Sequence, residues 1–188
     1  MEVSQTMLNV GACVLAGVIA YLLGSISFAI IVSRIYAHDD VRKYGSKNAG
    51  MTNILRTYGK MPAFFTLLGD FLKGVLAVVI GRWIFSVFGV TEFDAGYLAG
   101  FFALLGHLYP IYFGFKGGKG VLTSLGIILV VNPLVFFILL IIFLPVLFIT
   151  RTRIMHTMRS ASFLRRASIK VRSLSPTGTS ARMQRALS

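Results

Sequence analysis

The chain has 188 residues, of which 56% are hydrophobic and only 13% charged. A soluble domain carries about 25% charged residues, so an ordinary water-soluble globule is excluded and a membrane protein is expected. The net charge is +13, but residues 151–188 hold nine Lys/Arg and no acid while residues 1–150 hold ten against six acids, so the excess belongs to the tail and points to an anionic membrane surface and not to nucleic acid.

Residues 1–9 contain no Lys or Arg, which excludes the positive n-region of a signal peptide. Val10 to Ile35 is apolar and long enough to span a bilayer. Its basic flank is C-terminal, at Arg34, Arg42, Lys43 and Lys47, so the positive-inside bias puts the N-terminus outside and loop 37–60 in the cytoplasm. Gly24-Ser25-Ile26-Ser27 interrupts the run and reads as small-residue helix packing. Cys13 is the single cysteine, which excludes an internal disulfide and a cysteine-rich metal site.

Loop 37–60 is the first polar stretch, and no acid occurs from 41 to 69. A short helix capped by Ser46 or Asn48 and running to Thr57 would place Asn48, Thr52 and Arg56 on one face, with Asn53 three residues before Arg56. Hydroxyl, amide and guanidinium donors without nearby carboxylates suit a phosphate or another oxyanion. The alternative is a basic loop that merely obeys topology.

Met61 to Val90 is a second span, containing Asp70 and Lys73. Three residues apart on a helix, they can pair, and ionisable groups at membrane depth face a polar interior. Arg82-Trp83 reads as an interfacial anchor. Thr91 to Gly96 carries two acids and no base, which suits the outer face. Tyr97 to Tyr109 returns inward, with His107 near its inner end, as either a satisfied structural residue or a functional one.

Lys116-Gly117-Gly118-Lys119-Gly120 follows, on the same side as loop 37–60. Glycine lets backbone N–H groups approach a ligand, and such donors flanked by cations and leading into a helix form an anion grip. A basic turn at the lipid headgroups is the plainer alternative. Val121 to Thr150 is apolar but broken at Asn132-Pro133, which predicts a hairpin. The expected fold is all-α: a polytopic transmembrane helix bundle of about five crossings, one membrane domain over residues 1–150. The Ser/Arg-rich tail, 151–188, is expected to be disordered until it meets the membrane.

Several chemistries are excluded. The sequence from Gly114 to Val121 is one residue short of a Walker loop and has Gly120 where a magnesium-holding Ser/Thr would stand. No two-His zinc pattern occurs, and no Ser–His–Asp triad can be assembled without recruiting membrane acids. No metal and no cofactor is expected.

Gly45-Ser46-Lys47-Asn48-Ala49-Gly50-Met51-Thr52-Asn53-Ile54-Leu55-Arg56, then Asp70 to Gly74, then Gly106-His107 with Phe115 to Val121, resembles the bacterial acyl-phosphate:glycerol-3-phosphate acyltransferases, the PlsY family. Order and spacing match from about Gly24 to Arg151, with Lys47 and Met51 where glycine and alanine are frequent. The resemblance implies a multi-pass enzyme of the bacterial cytoplasmic membrane with its site facing the cytoplasm. It would move a fatty acyl group from acyl phosphate to the 1-hydroxyl of glycerol 3-phosphate, giving lysophosphatidic acid for phospholipid synthesis. It also implies that Ser46 and Arg56 matter for activity and that Lys116 to Gly120 bind glycerol 3-phosphate. Acyl phosphate, glycerol 3-phosphate and membrane lipids are then the partners.

Acyl phosphate is a mixed anhydride with a good leaving group, so two donor-rich cups that align two anionic substrates are sufficient. Ser46, Asn48, Asn53 and Arg56 are assigned to one phosphate or oxyanion. Lys116, Lys119 and the N–H groups of Gly117, Gly118 and Gly120 are assigned to the other. Asp70 and Lys73 would brace the pocket, and His107 is a candidate positioning donor. Family members continue past the position of Arg151 with another apolar segment and a basic motif containing His, Asn and a later Glu. The acid-free tail here departs from that pattern and resembles a shifted or truncated reading frame. An inactive remnant of the enzyme is one competing reading. A small membrane protein that binds or transports phosphorylated solutes is another, but it should show pseudo-repeated halves, which are absent.

Overall fold

The computed structural model describes residues 2–146, and the regular structure among them is helical. The helices are α1 (Glu2–Gly24), α2 (Phe28–Ala37), α3 (Met51–Tyr58), α4 (Lys60–Phe88), α5 (Ala95–Leu108), α6 (Val121–Val131) and α7 (Pro133–Val146). Single 3-10 turns sit at Val41–Lys43 and Ile111–Phe113. Three stretches are long and apolar enough to cross a membrane: Gln5–Ala37, Lys60–Phe88 and Ala95–Phe113; α6 and α7 are shorter apolar helices. The described residues up to 137 form one compact unit, and those from 138 to 146 belong to a second. The tail 151–188, expected to be disordered or out of frame, lies outside the described residues.

The first unit combines buried large side chains, such as Ile30, Ile54, Ile84 and Phe85, with close helix approach. Ala12, Ala16, Ala20 and Gly24 recur every four residues along α1, so they share one face. The three alanines are buried, as are Ala95, Ala99 and Ala103 of α5. Bilayer lipid is as apolar as leucine, so helices associate there through backbone proximity, which small residues permit. α4 ends on Gly89, left-handed at φ 68, whose N–H reaches the carbonyls of Phe85 and Ser86. Asp94 opens α5 by accepting the Gly96 N–H at 2.8 Å.

The run from Val10 to Ile35 is two helices, not one. The small residues at 24–27 do pack, but the chain also leaves helical geometry there. The freed carbonyls of Gly24 and Ile26 accept hydrogen bonds from Lys73 Nζ at 2.9 and 2.7 Å. A backbone break in an apolar setting is tolerable only when such groups are satisfied. The expected break at Asn132-Pro133 is present: Asn132 ends α6 and its side chain accepts the Val135 N–H of α7 at 3.1 Å. Phe136 then lies beside Phe71 of α4.

Arg82 is more than an interfacial anchor. Its guanidinium forks onto the two carboxylate oxygens of Asp94 at 2.9 and 2.6 Å and donates to the Val130 carbonyl at 3.0 Å. One residue thus ties α4 to the start of α5 and the end of α6. Asn9 donates to Glu92 at 2.8 Å at this same end of the bundle.

Candidate functional site

Loop 38–50 and loop 109–120 meet at the other end. Arg42 makes the join. Its Nη2 pairs with Asp40 at 2.7 Å, and its Nη1 donates to the carbonyls of Phe113 at 2.7 Å and Lys116 at 3.0 Å. The guanidinium holds the Asp40 carboxyl below the usual carboxylate range. In the sequence Arg42 stands out only as a topology signal. The available clue was the Asp40-x-Arg42 spacing, which permits a local fork.

Gly118 is the second point of contact. Its N–H donates to the His107 carbonyl at 3.2 Å, and the Gly117 N–H donates to Leu108 at 3.1 Å. A Cβ at 118 would stand 2.5 Å from the Ala49 carbonyl oxygen and would run into His107 Nε2. Position 118 therefore has no room for a side chain between α5 and loop 38–50. Those two glycine N–H groups are spent on holding the loop against α5, so they are not free for a phosphate. The first turn of α6, which starts after Gly120 (φ 79), offers its N–H groups instead.

The short helix begins later than expected. Gly50, not Ser46 or Asn48, precedes its first turn, so Asn48 lies outside the helix and does not share a face with Thr52 and Arg56. Thr52 and Arg56 are exposed, while Asn53 and Ile54 are buried. Asn53 Nδ2 donates to the carbonyls of Val41, Tyr44 and Asn48, each at 3.1 Å. Its Oδ1 accepts the Ser46 N–H, also at 3.1 Å. With both amide hydrogens engaged, Asn53 has nothing left to donate to a ligand, and it organises the turn that presents Ser46 and Asn48. Ser46, Arg56, Lys116 and Lys119 are all exposed.

Asp70 and Lys73 pair as the spacing predicted, at 3.0 Å, and are 2% and 3% exposed. His107 is also buried, with Nδ1 3.7 Å from the same Asp70 oxygen, beyond hydrogen-bond reach. This cluster lies beneath the loops: Lys73 reaches the α1–α2 break, and the His107 ring backs Gly118. Two cavities flank the region. A polar cleft of about 570 Å³ opens between the loops, lined by Arg42, Lys43, Lys47, Lys116 and Gly117 among others. An apolar groove of about 910 Å³ runs between α1–α2 and α4, lined by Leu23, Phe28, Ile31, Phe65 and Leu72, with Lys73 at its polar limit. Among the described residues no cluster of three or more His/Cys/Asp/Glu could hold a metal ion.

Substituting Arg42→Ala should leave the bundle folded and free loop 113–117. Exchange of the Gly117 and Gly118 amides should accelerate about tenfold or more, measured by hydrogen–deuterium exchange. Acid should mimic it. A carboxylate whose pKa is lowered by folding stabilises above its ordinary value near 3.8. That stabilisation is lost as the pH falls through the folded pKa, so the wild-type loop should loosen only below about pH 4.

A family model described as Glycerol-3-phosphate acyltransferase matches residues 14–175. A glycerol-3-phosphate acyltransferase of Clostridioides difficile is 47% identical over 138 residues, covering 73% of this chain and 68% of that protein. One from Thiobacillus denitrificans is 53% identical over 116 residues, covering 62% of this chain and 58% of that protein. The crystal structure of PlsY, an integral membrane glycerol 3-phosphate acyltransferase, in its glycerol 3-phosphate form superposes with a TM-score of 0.63 at 36% identity; the match covers 71% of this chain and 64% of PlsY. The lysophosphatidic acid form of PlsY gives 0.60 at 35% identity.

Proposed function

We propose a reaction for this chain from one premise: it belongs to the glycerol-3-phosphate acyltransferase family. The reaction is acyl transfer from acyl phosphate to the 1-hydroxyl of glycerol 3-phosphate, giving lysophosphatidic acid, in the bacterial cytoplasmic membrane with the site open to the cytoplasm. The observation that carries this reading is the meeting of two basic loops at one end of the bundle, through Arg42 on Lys116 and Ala49 on Gly118, beside an apolar groove. Two phosphorylated substrates need two cationic stations close together, and a fatty chain needs apolar surface beside them.

In this reading Arg56, Ser46 and Asn48 hold one phosphate or the developing oxyanion. Lys116, Lys119 and the first-turn N–H groups of α6 hold the other. The hydroxyl oxygen of glycerol 3-phosphate attacks the acyl carbon, the bond from that carbon to the phosphate oxygen breaks, and inorganic phosphate leaves. The hydroxyl proton passes to a phosphate oxygen, so no enzyme nucleophile is consumed. Orientation and charge stabilisation supply the rate. Asn53 braces the turn of the first station, and Asp70, Lys73 and His107 form the floor under the second.

The test is acyl transfer to labelled glycerol 3-phosphate in membranes, with acyl phosphate and a thioester donor compared. Arg56→Ala and Lys119→Ala should each lower kcat/KM more than tenfold, about 1.4 kcal/mol or more of transition-state stabilisation. Activity within twofold of wild type in both variants would defeat the assignment.

A further inference from the structure

Lys47 stands in the left-handed region of backbone space, at φ 57. That conformation penalises any residue with a Cβ, and lysine has no side-chain amide to compensate as asparagine has. It is held by the Lys47 N–H, which donates to the Tyr44 carbonyl at 2.9 Å. Strained backbone of this kind concentrates at ligand-holding sites. The lysine lines the polar cleft between the two loops, as Lys116 does.

The charge balance in that cleft is incomplete. Asp39 is engaged by Lys43 and by the Tyr44 hydroxyl, and Asp40 by Arg42. Asp70 is buried with Lys73, and Asp94 is committed to Arg82. Glu92 accepts from Asn9 at the opposite end of the bundle. Among the described side chains Lys47 and Lys116 therefore have no carboxylate partner. Two cations on facing loops repel unless an anion lies between them.

We propose that Lys47, with Lys116, forms the docking station for the phosphate monoester of the water-soluble acceptor, and that Lys47 sets its affinity. This rests on the acyltransferase reading. The same phosphate chemistry could arrive on a lipid headgroup. The cleft and the apolar groove share no lining residue, so a ligand that fills the cleft alone requires no acyl chain, which favours the soluble phosphate. Asparagine and glycine tolerate the left-handed conformation better than lysine, so removing the charge at 47 should not destabilise the fold.

The experiment uses the full chain in phosphatidylcholine nanodiscs. Lys47→Asn and Lys47→Gly should raise the Kd of glycerol 3-phosphate, read by equilibrium dialysis, about three- to tenfold at low salt. The difference should shrink below about twofold near 0.5 M salt, where screening is strong. Both variants should melt at or above the wild-type temperature, and in turnover the loss should fall on KM. Lys60→Gln, which removes a charge outside the cleft, should leave the Kd unchanged. An unchanged Kd for the Lys47 variants at low salt would overturn the proposal. So would a loss seen only in discs containing anionic phosphatidylglycerol, which would assign Lys47 to lipid. If the wild type binds glycerol 3-phosphate but transfers no acyl group, the reaction fails and the dialysis still decides the site.

Discussion

Asp70→Ala should unfold most of the protein at temperatures the wild type withstands. The carboxylate is buried at the centre of α4, 3.0 Å from the equally buried Lys73 ammonium. Removing it leaves a cation inside a membrane-spanning helix, held only by the Gly24 and Ile26 carbonyls. Breaking one side of a buried pair costs about 3–5 kcal/mol, because the remaining charge has lost its partner but not its burial. Asp70→Asn should cost less, since the amide oxygen still turns a partial negative charge towards the ammonium 3.0 Å away. Replacing Asp70 and Lys73 together by leucine and methionine should recover only part of the loss, because the carbonyls at the α1–α2 break would then lack a donor. Trp83 is the single tryptophan, so its fluorescence follows thermal unfolding in detergent without mutagenesis. A melting temperature for Asp70→Ala within a few degrees of wild type would refute the account.

Gly106→Leu should be nearly as damaging, for a steric reason. A Cβ at 106 would lie 2.7 Å from the Ser25 nitrogen and 2.9 Å from the Gly24 carbonyl carbon, and it would press on the Tyr21 carbonyl oxygen. The partner surface is equally tight: a Cβ at 24 would lie 2.7 Å from the Ala103 carbonyl carbon. Here α1 and α5 touch backbone to backbone, and backbone cannot rotate away as a side chain can. A cost of about 3 kcal/mol is expected, at the upper end for overpacking. Any folded remainder should also lose activity, because Gly106 precedes His107, whose carbonyl anchors Gly118. Gly11 provides the contrast. Nothing lies within 4 Å of a Cβ there, so Gly11→Ala should change stability by less than about 0.5 kcal/mol. Size-exclusion profiles and melting curves of the two variants make the comparison direct.

What the sequence made legible was local and periodic. The apolar runs predicted the helices, the Asp70–Lys73 spacing predicted the pair, and Asn132-Pro133 predicted the break. Charge and the alternation of apolar spans put loop 37–60 and the glycine–lysine loop at one end, and Arg42, Ala49 and Gly118 join them there. The contacts that were not legible share a cause. Asn53 has donors that suit a ligand or a backbone carbonyl equally well, and only its burial beside Ile54 decides between them. Arg42 and Arg82 were read by their neighbours in sequence, whereas their partners Lys116 and Asp94 are fixed by how the helices fold back. The separation of α1 from α2 was hidden because Ser25, Ile26 and Ser27 fit a helix interface as readily as a break.

That break constrains how the protein can be made. Two carbonyl groups left bare in hydrocarbon cost several kcal/mol each, and the donor that covers them is Lys73, some fifty residues downstream. The first segment therefore cannot be released into lipid in its final shape while the ribosome is still producing it. The break can take its final form only once the fourth helix arrives with Lys73.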